Sequence, residues 1–322
     1  MKLSTKIWLL VGGLLVLLGG LAFAVSMAAN QWDFSKLDPA RYENRTVEIS
    51  EDFQNISIRS DTEDIVFAPS GDGRCRVVFY EQEKRTHTAE VVGGTLVIGQ
   101  ADAGKWYESF SFFGFGSPKI TVYLPVAEYA ALSIEESTGD IEIPKDFSFA
   151  RIDISVRTGD VTCAASAKGA IRIGTDTGAI RVEDLSAGEL ELSVSTGRVE
   201  ARSVACAGPL GLTVSTGKAR LTEVSCGSFR SVGSTGDLTL TEVIAAGAMT
   251  VERSTGDVRL EQCDAEELDI RTDTGDVKGS LLTEKVFIVR SDTGRIKVPE
   301  SITGGKCRVT TDTGDIEITV AN

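Results

Sequence analysis

Chemistry needs side chains that hold protons, nucleophiles or metals, and this sequence offers few of them in a catalytic arrangement. His87 is its only histidine, so a Ser-His-Asp or Cys-His nucleophile system would have to be assembled around that one residue. No second element of such a system accompanies it, and no catalytic residue is expected. The stretch from Gly211 to Lys218 has the flavour of a phosphate loop. It carries one residue too many between its glycines, and Ala219 stands where a magnesium-binding Ser or Thr belongs. Asp273, Asp276, Asp292, Asp312 and Asp315 offer carboxylate oxygens of the kind calcium takes. Arg295, and earlier Arg198 and Lys218, interrupt that ridge, and Asp is in any case a common turn residue. Neither a metal nor a cofactor is expected.

Most of these residues belong to a repeat. Thr-Gly steps end at Gly139, Gly159, Gly178, Gly197, Gly217, Gly236, Gly256, Gly275, Gly294 and Gly314, always 19 or 20 residues apart. So constant a period is the mark of a solenoid. Seven and five residues before each glycine, and two and four after it, the chain is mostly Val, Ile or Leu. Alternation at period two with β-branched side chains reads as two short strands, each with one buried face. A third inward position follows seven residues after the glycine, at Leu185, Val204, Val224, Val243 and Leu282.

One coil buries little by itself. Coils stacked at ~4.8 Å pair each strand with its successor and fuse the apolar columns, so ten coils make a rod of roughly 45–50 Å. The connectors are too short for crossover helices, which leaves a parallel β-helix. The Ser/Asp-Thr-Gly-Asp element then acts as a corner. Its glycine supplies a positive φ, the Ser or Asp two places earlier can bond backbone N–H groups, and stacked Thr hydroxyls can form a ladder. Cys163, Cys263 and Cys307 fall in apolar columns as small buried hydrophobes. Cys206 and Cys226 share a column on adjacent coils, at a separation a disulfide tolerates but with side chains pointing the same way.

Two segments lie outside the repeat. From Ile7 to Trp32 no residue is charged, and the apolar run Ile7–Ala29 is long enough to span a bilayer. Lys2 and Lys6 precede it while Asp33 and Asp38 follow, which places the N-terminus in the cytoplasm and the remainder outside. The alternative is a cleaved signal peptide, since Ala22, Phe23 and Ala24 have the form of a cleavage site. Residues 1–29 are therefore read as a single-pass signal anchor in the cell membrane and 30–44 as a tether. Residues 45–127 read as an N-terminal β cap of irregular strands, and 128–322 as the solenoid. In the cap, Ser60 to Ile65 looks like a degenerate corner. The net charge of −14 falls beyond residue 30 and argues against nucleic acid and against adsorption to anionic lipid. Six aromatic residues stand between 106 and 115: Trp106, Tyr107, Phe110, Phe112, Phe113 and Phe115. They read either as a lid on the open core of the first coil or as a contact for the membrane or a partner.

The reiterated corner, the run Asn55-Ile56-Ser57-Ile58 with Asp61 to Ile65, and Trp106-Tyr107 followed by Ser117 to Pro125 resemble a bacterial putative-adhesin family with β-strand repeats, the toast-rack type. The resemblance covers roughly residues 45–322. It implies an envelope protein linked to membrane-stress signalling or surface attachment, with no catalytic residues to carry over. The expected function is thus a non-catalytic, membrane-anchored envelope binding or scaffold module whose partner is an envelope protein or surface ligand. A surface adhesin for a host or matrix ligand is the alternative, and a β-helix polysaccharide enzyme the weakest one.

Overall fold

The computed structural model of the chain describes residues 3–29, 32, 42–82, 86–100 and 118–321. A single helix, α1 (Leu3–Ala29), precedes an all-β body. Its segment Leu10–Ala29 has a mean hydropathy of 2.3 and is long and apolar enough to cross a membrane.

The body is a β-solenoid of about ten turns held by parallel ladders. One core column runs from coil to coil through Ile171, Leu190, Leu210, Phe229, Met249 and Leu268 in strict register. Because every coil offers the same alternation, a single apolar core extends from Ile56 to Ile318.

The coils turn at three places, where the repeat had marked one. The Thr-Gly corner is the first. At the second, Asp184, Ser203, Glu223, Glu242 and Gln262 take φ values of 50–56° without being glycine. At the third, the N–H groups of Gly208, Gly227 and Gly247 each donate to the carbonyl of the glycine one coil earlier at 2.8 Å. The inward column after the second corner runs through Leu185, Val204, Val224, Val243 and Cys263. It then passes to Leu281 rather than Leu282, which is exposed. Between Leu260 and Cys263 the ladder to the next coil loses one residue, and that slip brings Leu281 opposite Cys263.

Sequence order and stacking order part company at the C-terminus, against the expectation that each coil pairs with its successor. Leu268 and Ile270 pair with Cys307 and Val309, whose other side pairs with Phe287 and Val289. The Gly314 coil therefore lies between those of Gly275 and Gly294. The coil placed inside has fully buried core residues, Cys307, Val309, Ile316 and Ile318. The one placed at the end has Phe287, Val289 and Val298 only partly buried and Ile296 exposed. Charged side chains and Pro299 on this last coil suit an edge with no further partner.

The N-terminal region continues the stack. It consists of β1 (Tyr42–Ile49), β2 (Asn55–Ser60), β3 (Asp64–Pro69), β4 (Cys75–Gln82), β5 (His87–Val92), β6 (Thr95–Gln100) and β7 (Lys119–Leu124). Next come β8 (Glu128–Thr138) and β9 (Ile141–Ile143), the first coil with a Thr-Gly corner. Strands β2 and β3 pair in parallel with β8 and β9, with Ile65 opposite Ile141. On the other side of β2 and β3 lie β6 and β7, again parallel. Beyond them β5 and β4 run in the reverse sense, and β1 closes the edge. Reversed strands end the parallel stack and cover its core.

Candidate functional site at the capped end

The repeated corner is accounted for by structure alone. At Gly236, φ is 123°, and a Cβ there would sit 1.8 Å from the carbonyl oxygen of Gly217. The Asp after the glycine, not the Ser or Asp before it, does the bonding across coils. Asp140 Oδ1 accepts from the N–H of Asp160 at 2.8 Å, Asp257 Oδ1 from Asp276 at 3.0 Å, and Asp276 Oδ1 from Asp315 at 2.8 Å. Hydroxyls three places before the glycine, on Thr175 and Thr311, donate to the glycine carbonyl of the neighbouring coil. With the carboxylates so engaged, the described residues include no cluster of His, Cys, Asp and Glu fit to hold a metal. Lys218, the end of the loop-like fragment, sits on this corner beside Asp237 at 3.2 Å.

All six cysteines are free and buried. Cys206 and Cys226 point to different backbone carbonyls, Pro209 and Ile244. Burial pushes the Cys163 thiol up to about 12, far from a reactive thiolate.

Polar chemistry gathers instead at the corner of the capped end. In register with Gly139 the first coil carries Glu63, and its carboxylate turns inward. Oε2 accepts from the Ser60 hydroxyl at 2.5 Å and from the N–H of Thr62 at 2.9 Å. His87 reaches it from β5, with Nε2 3.4 Å from Glu63 Oε1, an ion-pair distance longer than a hydrogen bond. The other ring nitrogen, Nδ1, lies 2.7 Å from Glu81 Oε2, and Phe79 stacks on the ring at 5.5 Å. Arg45 donates through Nε to Glu81 Oε1 at 2.8 Å and through its guanidinium to the carbonyl of His87. Glu136 lies behind, one oxygen accepting from the Thr138 N–H at 3.1 Å and the other buried without a donor. Ser60, Glu63, Glu81, His87 and Glu136 are all buried.

Burial disfavours the charged form of each group, and the contacts decide the outcome. For Glu63, burial pushes upward, but the ion pair with His87 and the hydrogen bonds from Ser60 and Thr62 win and hold it at about 2. For His87, burial pushes downward and the two glutamates win, raising it. For Glu136, burial, with Glu63 nearby, outweighs the hydrogen bond from the Thr138 N–H and raises it to about 8. Ser60 donates to Glu63 and not to His87, so these residues do not form a nucleophile and base. What the cluster can do is hold a proton. The sequence pointed to His87 alone. Glu63 in a glycine column and Glu136 at an inward position were the signals for the rest.

The aromatic residues 106–115 lie outside the described residues. The strands flanking them do not: β6 ends at Gln100, the ladder partner of His87, and the chain returns at Pro118, whose carbonyl accepts from the N–H of Asp64 at 2.9 Å. In this coil the described chain thus breaks off at the end of β6 and resumes just before β7.

A comparison with curated proteins finds no sequence match. Among solved structures, the chain is similar to one described as a "putative adhesin" from Parabacteroides distasonis. The identity is 11%, with 87% of this chain and 98% of that one covered and a TM-score of 0.50. It is also similar to a "putative lipid binding protein" from the same organism at 14% identity, covering 87% and 98%, with a TM-score of 0.48. The first of these likenesses speaks to the fold. The family profile of Toastrack DUF4097 matches residues 53–225 and 212–322, and the chain belongs to that family.

Proposed function

We propose that this chain is a non-catalytic binding or scaffold module of the cell envelope. In this reading α1 tethers it in the membrane as a single-pass anchor, the solenoid stands outside the cytoplasm, and the capped end recognises a protein partner. Lys2 and Lys6 before the helix and Asp33 and Asp38 after it support the orientation. Its membership of a family with structural relatives described as adhesins or binding proteins supports a binding role. One observation carries the choice of surface: strands β6 and β7, which stack on β2 and β3, are joined in sequence by residues 101–118, a connection far longer than the Thr-Gly corners of the repeat. That connection holds Trp106, Tyr107, Phe110, Phe112, Phe113 and Phe115. Large aromatic side chains are the usual anchors of protein interfaces, and the acidic rod opposes adsorption to anionic lipid.

Replacing Trp106, Phe112, Phe113 and Phe115 together by Ser tests the proposal. The expected result is a chain that still fractionates with membranes, melts somewhat lower and no longer cross-links to its partner in cells. Wild-type melting together with wild-type complex formation would remove both the capping and the contact role. Recovery of a soluble form beginning near Val25 would replace the anchor by a cleaved signal.

A further inference from the structure

We propose that His87 is the pin of a proton-operated latch, which clamps the reversed strands β4 and β5 onto the first corner of the solenoid and releases them as pH rises. The latch does not depend on the choice of partner or on the side of a membrane the rod faces. Its basis is a bridge between layers that share no backbone ladder. Strands β4 and β5 pair with β1, β7 and β6, whereas Glu63 belongs to the coil of β2 and β3, one layer further in. Among the described residues no strand ladder joins the two directly, and His87 bridges them between Glu81 and Glu63.

The form of the ring follows from its neighbours. A carboxylate only accepts hydrogen bonds, and here both ring nitrogens face one. A neutral imidazole can donate to Glu81 through Nδ1, and an imidazolium adds the charge that pairs with Glu63 across 3.4 Å. The groups around it, element by element, make the same point. Arg45 comes from β1, Glu81 and the Phe79 ring from β4, Glu63 from the corner between β2 and β3, and Glu136 from β8. Gln100 of β6 adds a buried amide nitrogen without an acceptor. Among the described residues, three carboxyl groups thus face two cations. The cluster is neutral when His87 is protonated and Glu136 keeps its proton, and losing either proton leaves a buried net negative charge.

The raised affinity of His87 and Glu136 for protons sets the sign. A group whose folded value is raised contributes stability in full below its unfolded value and loses it as pH climbs through the folded one. For Glu136 that window opens at 4.5 and closes at about 8, and for His87 it opens at 6.5. Glu63, held at about 2, works in the opposite direction and only below 4.5. From about pH 5 upward, the capped end should loosen against the coils.

Amide hydrogen exchange on the full chain in detergent micelles, corrected for the intrinsic effect of pH on exchange, reads this directly. Protection of β4, β5 and β6 is expected to fall relative to the Gly197–Gly256 coils between about pH 5.5 and 8.5, by up to about tenfold per pH unit for each proton released. In His87→Gln the cap should exchange faster than the wild type at pH 5.5, and the pH dependence left should be that of Glu136 alone. In Glu136→Gln the slope should flatten while His87 still titrates. Since the chain has one histidine, a single imidazole resonance follows it in the wild type, so the test survives a variant that fails to fold. A midpoint above 6.5 is expected. A midpoint at or below that value, or a cap-to-coil protection ratio constant with pH, would overturn the latch.

Discussion

Arg253 shows what one side chain can impose on a repeat. Neighbouring coils place Gly233 and Thr272 at its position, yet here a guanidinium lies buried in the core. It donates to the Ser231 hydroxyl at 2.8 Å, approaches the Val214 carbonyl at 3.5 Å, and leaves Nε with no partner. No carboxylate pairs with it, and burial lowers it to about 10. Two further departures from the pattern accommodate it: Ser231, in a column of Ile, Leu and Val, and Gly233, where a Cβ would lie 1.7 Å from Arg253 Nη1. A charge so placed costs more than it returns. The double change Ser231→Val with Arg253→Met should therefore raise stability by about 1–4 kcal/mol. Ser231→Val alone strands the guanidinium and should lower it by about 1–3 kcal/mol. Urea unfolding of both variants checks the pair of signs. If the double variant proves less stable than the wild type, the buried charge is not a burden to this core.

At the scale of the element, the corner separates a residue that must be glycine from one that merely helps. Gly236→Val would add strain at φ 123° and a clash with the Gly217 carbonyl, together about 3 kcal/mol or more. Asp237→Ala removes an acceptor of the Asp257 N–H at 3.3 Å and should cost about 1 kcal/mol. Equal shifts in melting temperature would count against this division of labour. The Thr-Gly corner was legible because glycine reports its own backbone need and the period repeats it ten times. The second corner was not, since Asp184, Ser203 and Glu223 adopt left-handed φ that their residue types do not demand. The capped end was half legible. Its strands showed in the alternation of Ile56, Ile58 and Ile65, whereas the cluster joins Arg45, Glu63, His87 and Glu136 across several elements, and only folding brings them together.

For the whole molecule, the order of coils carries the least sequence signal, because identical columns make the coils interchangeable. By residue type alone, Phe287 and Val289 look as suited to the slot above Leu268 and Ile270 as Cys307 and Val309, which occupy it. What distinguishes the two coils is the remainder: Ile316 and Ile318 complete a core layer, while Arg290, Arg295, Lys297 and Pro299 make a serviceable end. Lys285, buried and 2.7 Å from Asp264, anchors the strand that passes over to the outer position. This inverted order has a consequence that sequential stacking does not. The strand Lys285–Thr293 has its long ladder with Gly305–Thr313, so deleting residues 305–322 takes an interior layer and leaves the outer one without a partner. Limited proteolysis of the chain ending at Gly304 should then trim it back to about Leu281, with residues 283–304 lost as a unit and the coils before Gly275 still protected. If the coils stacked in sequence order, residues 285–298 would remain paired with Leu268–Thr274 and resist cleavage. A protected fragment reaching Val298 in the truncated chain would therefore refute the inverted order and return Gly294 to its place beside Gly275.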